Sequence, residues 1–412
     1  METSARVVLV EDDEDIRVVA EKALRGSGYE VFSAGDGETG LELVKQKRPD
    51  LVILDLMMPR MHGFTVCQAV RRDPSLRHIP ILITSAKSYP VDVARACELG
   101  ADYYLMKPYD IQVLLQTVKT LAGDRSQLAV KFWGTRGSLP TPGAATLRYG
   151  GNTACVEVRD GDTIIMLDSG TGAREMGDAL AKEFQGRPLH VHLFVSHTHW
   201  DHIQGFPFFA PAYRDGNQVD VFSLRGTGRD LREIFTGQMD SSYFPVSLKD
   251  MKSKLSFVEL NGQVQVGRAE VSHLFLNHPG VAVGFRINVG GKCLVYVTDH
   301  EVYTRMSGQH EQHDKLDRQL NEFARKADLY IRDAQYTEEE YATRQGWGHS
   351  TWKDALESAH EAGVTQLALF HHDPGHDDTT MDGILSSARE YMNQRGMHFN
   401  CFAAADNMLV RI

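Results

Sequence analysis

Basic residues are in deficit: 44 Lys and Arg stand against 55 Asp and Glu, a formal net charge of −11 over 412 residues. That balance argues against a protein whose main partner is long nucleic acid, which needs a cationic track. It leaves small anionic substrates open, because a bound cation inverts the local field. Cysteine is also scarce. The five present, Cys67, Cys97, Cys155, Cys293 and Cys401, are scattered with no CxxC. No disulfide framework is expected, and reduced thiols in a cytoplasmic setting are. Long apolar runs are missing from the start of the chain, where VVLV is followed at once by EDDED. Neither a signal peptide nor a membrane span is expected there. No internal repeat or biased tract appears, and the length exceeds one ordinary core, which predicts two or three domains.

What is there falls into two textures. Up to about residue 122, short β-branched runs (RVVLV, YEVFSA, LVILDL, IPILITS, ADYYLMK) alternate with helical stretches such as IRVVAEKALRGSG and PVDVARACELG. Repeated strand–helix units with runs apolar on both faces predict a doubly wound α/β fold, a five-stranded parallel sheet covered on both sides. The stretch AGDRSQLAV breaks the rhythm, so residues 123–130 are read as a linker. From KFWGTRGS onward glycine and histidine increase, and ACVEV, TIIML and GFRINV read as antiparallel strands. The expected domains are 1–122 and 131–412.

In the first half Glu11 and Asp12 follow the first strand, Asp55 ends the third, Ser85 the fourth, and Lys107 with Pro108 the fifth. The carboxyl ends of parallel strands share one edge, where ligands bind. Three carboxylates meeting there repel unless a cation sits among them, and hard oxygen ligands suit Mg²⁺. A lysine and a hydroxyl beside them suit a phosphoryl group. With VEDDEDIR, LVILDLMMPRMHG, ITSA and YYLMKP, residues 6–122 resemble the receiver domain of two-component response regulators. The resemblance implies that Asp55 is the phosphoacceptor, supplied by a histidine kinase. Glu11, Asp12, Asp55 and the Met57 carbonyl would hold Mg²⁺, Ser85 and Lys107 would read the phosphoryl group, and Tyr104 would change rotamer on activation. Asp13 could stand in for either acid in a shifted register, but the spacing to Ile16 and Arg17 favours Glu11 and Asp12. Receivers also dimerise through the face that carries Tyr104.

In the second half SHTHWDHIQG (196–205) packs three histidines and an aspartate into six positions. Alternate positions of a loop leaving a strand can point the same way, so His197 and His199 can share one ion. Asp201 and His202 then turn toward a second. Imidazole and carboxylate suit Zn²⁺, with Mn²⁺ or Fe as alternatives. HxHxDH is the motif of the metallo-β-lactamase fold, an α+β, αββα sandwich, and residues 130–412 resemble that superfamily throughout. The likeness is closer to its phosphodiesterase branch, which includes tRNase Z and a cyclic phosphodiesterase, and is carried by WGTRGSLPTP, IIMLDSGTG, LNHPGVAVGFRI, LVYVTDHE and LALFHHDP. It implies His278 as a further ligand, Asp299 as a metal-bridging carboxylate, Asp168 as a supporting acid and His371 as the last ligand. His372 is the rival for that place, or a substrate contact.

ADLYIRDAQYTEEEY followed by GHST resembles the acid and catalytic histidine of tRNase Z, here Asp333 and His349. The acid is aspartate where that family has glutamate. The implied chemistry is hydrolysis at two cations, with Asp201 or Asp299 orienting the nucleophile and His349 protonating the leaving alkoxide. GHST before WKDALESAH also reads as a helix start capped by Ser350 or Thr351. The expected function is a phosphorylation-regulated phosphodiesterase acting on a cyclic or small nucleotide-like substrate. Hydrolysis of an acyl bond, as in lactamases and thioesterases, and a non-enzymatic signalling adaptor are the alternatives. FPFFAPAY and SSYFP, close to the histidine loop, read as packing under a long loop, with base stacking as the minority reading.

Overall fold

The computed structural model describes residues 5–73, 76, 79–86, 96, 99–122, 128–224, 229–306 and 310–412. The chain divides into two compact units, Met1–Gln127 with Met408–Arg411 and Leu128–Asn407 with Ile412. Most of the expected helix PVDVARACELG lies outside the described residues, as do 123–127 of the expected linker. The linker's last two positions, Ala129 and Val130, already belong to a strand. No helix among the described residues is long and apolar enough to cross a membrane.

The first unit is the expected five-stranded sheet. Strands β1 (Arg6–Val10), β2 (Glu30–Ala34), β3 (Leu51–Asp55), β4 (Ile81–Ser85) and β5 (Tyr103–Met106) lie in the order β2-β1-β3-β4-β5, all parallel. Both β3 and β4 are buried at every position, as central strands covered on two faces must be. Alternate residues feed two separate cores. Val8, Val10, Val52 and Leu54 pack with Leu41, Val44, Val66 and Val70 of helices Gly37–Lys47 and Gly63–Arg72. Val7, Leu9, Leu51 and Ile53 pack with Leu24, Leu114 and Val118 of helices Glu14–Gly26 and Ile111–Ala122. Asp13 caps helix Glu14–Gly26, accepting the Ile16 N–H at 3.1 Å.

The second unit holds two sheets. In the first, β6 (Ala129–Gly134), β7 (Cys155–Asp160), β8 (Thr163–Leu167), β9 (His190–Phe194), β10 (Gln218–Ser223) and β11 (Lys254–Glu259) lie side by side in chain order. The second sheet likewise runs in chain order through β12 (Val264–Val266), β13 (Ala269–Phe275), β14 (Val283–Val289), β15 (Lys292–Val297), β16 (Leu329–Asp333), β17 (Gln366–Phe370) and β18 (Asn400–Ala403). The strands expected to be antiparallel, ACVEV, TIIML and GFRINV, do pair that way, within β6-β7-β8 and β12 to β15. The strands from β8 to β11 and from β15 to β18 pair in parallel. Parallel neighbours need a crossover, and helices Gly172–Glu183, Trp352–Ala362 and Asp378–Arg395 supply three of them.

Aromatic rings fill the space between the sheets. Phe194 meets Phe285 edge-on at 5.5 Å between centroids, and Phe370 lies 6.1 Å from Phe132 and 5.7 Å from Tyr296. On the outer faces, Met176 and Leu180 pack with Val191 and Leu193, while Leu356 and Ala388 pack with Leu367 and Leu369. The unit is therefore the expected helix–sheet–sheet–helix sandwich. Phe285→Ala empties a fully buried inter-sheet position. It should cost about 3–5 kcal/mol, read as a lower denaturant midpoint with an unchanged slope.

Candidate functional site

In the first unit the ends of β1, β3 and β5 bring Glu11, Asp12, Asp55 and Lys107 together, as expected. Ligand oxygens of Glu11, Asp12 and Asp55 lie within 4.8 Å of one another. Lys107 Nζ donates to both Glu11 oxygens at 2.7 Å and to Asp55 at 2.5 Å, and the Met57 N–H donates to Asp55 Oδ1 at 3.0 Å. Burial, with the nearby Asp55 charge, pushes the Glu11 carboxyl up to about 7 although Lys107 opposes this. Such crowding of acids fits a divalent cation. Ser85 is buried at the end of β4, where its carbonyl accepts the Lys107 N–H at 2.8 Å, and Tyr104 is half-buried on β5. Asp13 is occupied as a helix cap, which favours the Glu11 and Asp12 register.

In the second unit the site forms where strands of both sheets end. β9 ends at Phe194, and SHTHWDH passes through a loop into the short helix Trp200–Ile203. Two groups form: His197, His199, His278 and Asp299, and Asp201, His202, Asp299 and His371, each with ligand atoms within 4.8 Å. Asp299 belongs to both. Its Oδ1 lies 3.1 Å from His202 Nε2 and from His371 Nε2, while Oδ2 lies 3.6 Å from His197 Nε2 and from His278 Nε2. Asp201 Oδ2 lies 3.2 Å from His202 Nε2 and from His371 Nε2.

These side chains suit divalent cations. His197 Nε2 is buried with no hydrogen-bond partner. Burial holds His197, His199 and His278 below the ordinary histidine range, so their imidazoles are neutral, the form that ligates metal. His202 goes the other way: burial opposes its charge, but Asp201, Asp299 and Asp168 around it raise its pKa well above the ordinary value.

Outer partners orient these side chains, as they do around metal sites. Asp168 accepts from His202 Nδ1 at 2.8 Å, Ser196 N at 2.7 Å and the Tyr296 hydroxyl at 2.7 Å. His371 Nδ1 donates to Gln335 Oε1 at 2.9 Å, and His278 Nδ1 to the Gly348 carbonyl at 3.0 Å. Asp168, Asp299 and His371, at φ 56°, 46° and 61°, are left-handed residues at strand ends. Strain of this kind is tolerated where the surroundings over-determine it. The GTRGS turn buttresses the site: Ser138 N–H donates to Asp201 Oδ2 at 2.7 Å, and a Cβ on Gly137 would lie 2.4 Å from the His371 ring. Gly205, which closes the histidine motif, would place a Cβ 1.9 Å from the Gly170 carbonyl oxygen.

His349 lies beside this cluster, its ring stacked on that of His371 at 5.0 Å. Its Nδ1 is 2.8 Å from Asp333 Oδ2, and because a carboxylate only accepts, Nδ1 carries the proton. Burial disfavours the charged ring, but the Asp333 carboxylate outweighs it and pushes His349 up to about 8. Asp333 is fixed in turn by N–H donors from Gln335 and His300, each at 3.1 Å. Thr351 caps helix Trp352–Ala362, as the helix-start reading of GHST expects.

Glu301 and Gln335 were not expected. Glu301 accepts the N–H groups of Gly346 and Gly348, at 2.8 and 2.9 Å, and so shapes the loop that carries His349. Their only signal was position, Glu301 directly after TDH and Gln335 two residues after Asp333. His372 is corrected: it is fully buried with Nε2 on the Ala404 carbonyl at 2.8 Å, so it offers no substrate contact. In the aromatic segment Phe206, Phe209 and Phe235 are buried packing, whereas Phe208 and Tyr243 are exposed.

Residues 7–119 match the response regulator receiver domain, and residues 163–372 match the beta-lactamase superfamily domain. The chain belongs to the beta-lactamase superfamily, with a receiver domain ahead of that domain. The dual master transcriptional regulator RpaA of Synechocystis sp. is 40% identical over 116 residues, 28% of this chain and 48% of that protein. The transcriptional regulatory protein AfsQ1 of Streptomyces coelicolor is 42% identical over 108 residues, 26% and 47% of the two chains. The chain thus spans about half the length of the curated relatives it matches. The metallo-beta-lactamase fold protein YhfI of Bacillus subtilis superposes with a TM-score of 0.50 at 16% identity, over 69% of this chain and all of that one. That likeness establishes the fold shared by the superfamily domain.

Asp168→Asn weakens the acceptor that orients His202. It should lower Zn²⁺ affinity by about 10–100-fold, measured by competition with a fluorescent chelator while circular dichroism stays unchanged.

Proposed function

We propose that the chain is a phosphorylation-regulated, metal-dependent phosphodiesterase acting on a cyclic or other small nucleotide-like substrate. The observation that carries this reading is His349, protonated on Nδ1, held by Asp333 and stacked beside the shared carboxylate cluster. Two divalent cations, one held by His197, His199, His278 and Asp299 and one by Asp201, His202, Asp299 and His371, would supply Lewis-acid activation of water and neutralise phosphoryl charge.

The chain's own residues do the rest. Asp333 keeps His349 cationic near neutral pH, which leaves the Nε2 proton available for the leaving alkoxide. Asp201 and Asp299, held by the surrounding imidazoles, orient the attacking water. Trp200, next to His199, and Trp347, two residues before His349, are 79% and 60% exposed. Both supply indole faces on which a base can stack. The net charge of −11 favours a small substrate over a long polyanion.

In the receiver domain an Asp55 oxygen attacks the phosphorus of a kinase phosphohistidine, the P–N bond breaks, and the histidine leaves. Glu11, Asp12, Asp55 and the Met57 carbonyl would hold Mg²⁺, which would supply neutralising charge, while Lys107 and Ser85 contact the transferred group. Tyr104 carries the change to the rest of the receiver.

Purified chain loaded with Zn²⁺ or Mn²⁺ should hydrolyse bis-p-nitrophenyl phosphate and members of a cyclic-nucleotide panel. Turnover of thioesters or lactams with phosphodiesters untouched would replace this reading with acyl hydrolysis, and no turnover of either would leave an adaptor. His349→Ala should lower kcat by about 10²–10⁴-fold with bound metal unchanged by elemental analysis. Asp55→Ala should abolish both phosphoryl uptake from acetyl phosphate and the rate change that uptake produces.

A further inference from the structure

A second histidine cluster lies on the same strand as the metal loop, at its other end. In β9, Val191 and Leu193 belong to the core that includes helix Gly172–Glu183, so alternation puts His190 and His192 on the face that carries Phe194. The parallel neighbour β10 places Asp220 in register with His192. Ligand atoms of His190, His192 and Asp220 lie within 4.8 Å of one another. Asp220 Oδ2 is 2.7 Å from His190 Nε2 and 3.8 Å from His192 Nδ1.

Two further features suit a cation better than a plain ion pair. His192 Nδ1 is buried and has no hydrogen-bond partner, although it points toward a carboxylate. A protonated nitrogen there would be drawn to Asp220. Instead Nδ1 stands 3.8 Å from Asp220 Oδ2, too far for a hydrogen bond. Gln218 Nε2 donates to both Asp220 oxygens, at 3.0 and 3.1 Å, and this fixes the carboxylate as an outer partner fixes a metal ligand.

We propose that His190, His192 and Asp220 form a separate site for a divalent transition-metal cation, with Zn²⁺ the natural fit for two imidazoles and one carboxylate. His190 is 44% exposed at its side chain, which leaves a fourth position open to solvent. The cation would clamp β9 to β10 at the end of β9 away from the His197 loop. It takes no part in the hydrolysis proposed above.

The full chain, dialysed against Zn²⁺ in Mg²⁺ buffer with a competing chelator, is compared with His192→Gln and Asp220→Asn. Each variant should hold one equivalent of Zn²⁺ fewer than the wild type. His199→Ala, which removes a ligand of the other cluster, should retain the equivalent that His192→Gln loses. If His192→Gln fails to fold, the exposed His190→Gln serves in its place. Equal Zn²⁺ content in the wild type and the substituted chains overturns the site and leaves a His190–Asp220 ion pair. Because turnover is not read, this outcome is independent of the phosphodiesterase reading.

Discussion

One buried carboxylate ties the second unit's site together. Asp299 turns one oxygen to His202 and His371 and the other to His197 and His278. Those four imidazoles come from three different segments, and a charge without them would be costly to bury. The surrounding structure answers that requirement. β15 delivers Asp299 in a left-handed conformation, Asp168 steadies His202 from β8, and Gly137 leaves room for the His371 ring. His197 has an outer partner too, Ser196 Oγ at 3.1 Å from Nδ1, while its Nε2, buried without a hydrogen bond, lies 3.6 Å from Asp299 Oδ2.

The receiver half solves a related problem with opposite means. Its three acids converge because parallel strands end at one edge, and Lys107 lies between two of them. Burial without full compensation pushes Glu11 upward, which is the electrostatic cost that a divalent ion would relieve. Both halves therefore use strand ends to gather charge. The receiver gathers hard oxygen ligands, whereas the second unit mixes oxygen with imidazole, and the two sets suit different cations.

Much of this was legible from local pattern. Runs such as LVILDL and IPILITS, apolar on both faces, read directly as central parallel strands, and the HxHxDH spacing named four residues of one loop that gather in the cluster. Asp299 and His349 were found through resemblance, since nothing in TDH or GHS alone separates a ligand from a solvated loop. The parallel half of each second-unit sheet was missed because a strand's partner is set by crossover helices rather than by its own residues. The choice between His371 and His372 rested on alternation. The structure places His371 in the cluster through a left-handed turn just after β17 and puts His372 against the Ala404 carbonyl.

By itself the amino-acid order determined which segments are strands, which helices, and where chemistry-bearing residues crowd, because those follow from periodicity and spacing along the chain. Only the tertiary structure decided which distant residues share an ion-sized space, which atoms face it, and which polar groups hold them there. Glu301, Gln335 and the His190–His192–Asp220 cluster belong to that second kind. Their partners are strands or loops apart in sequence, and contact between such groups exists only once the sheets have formed.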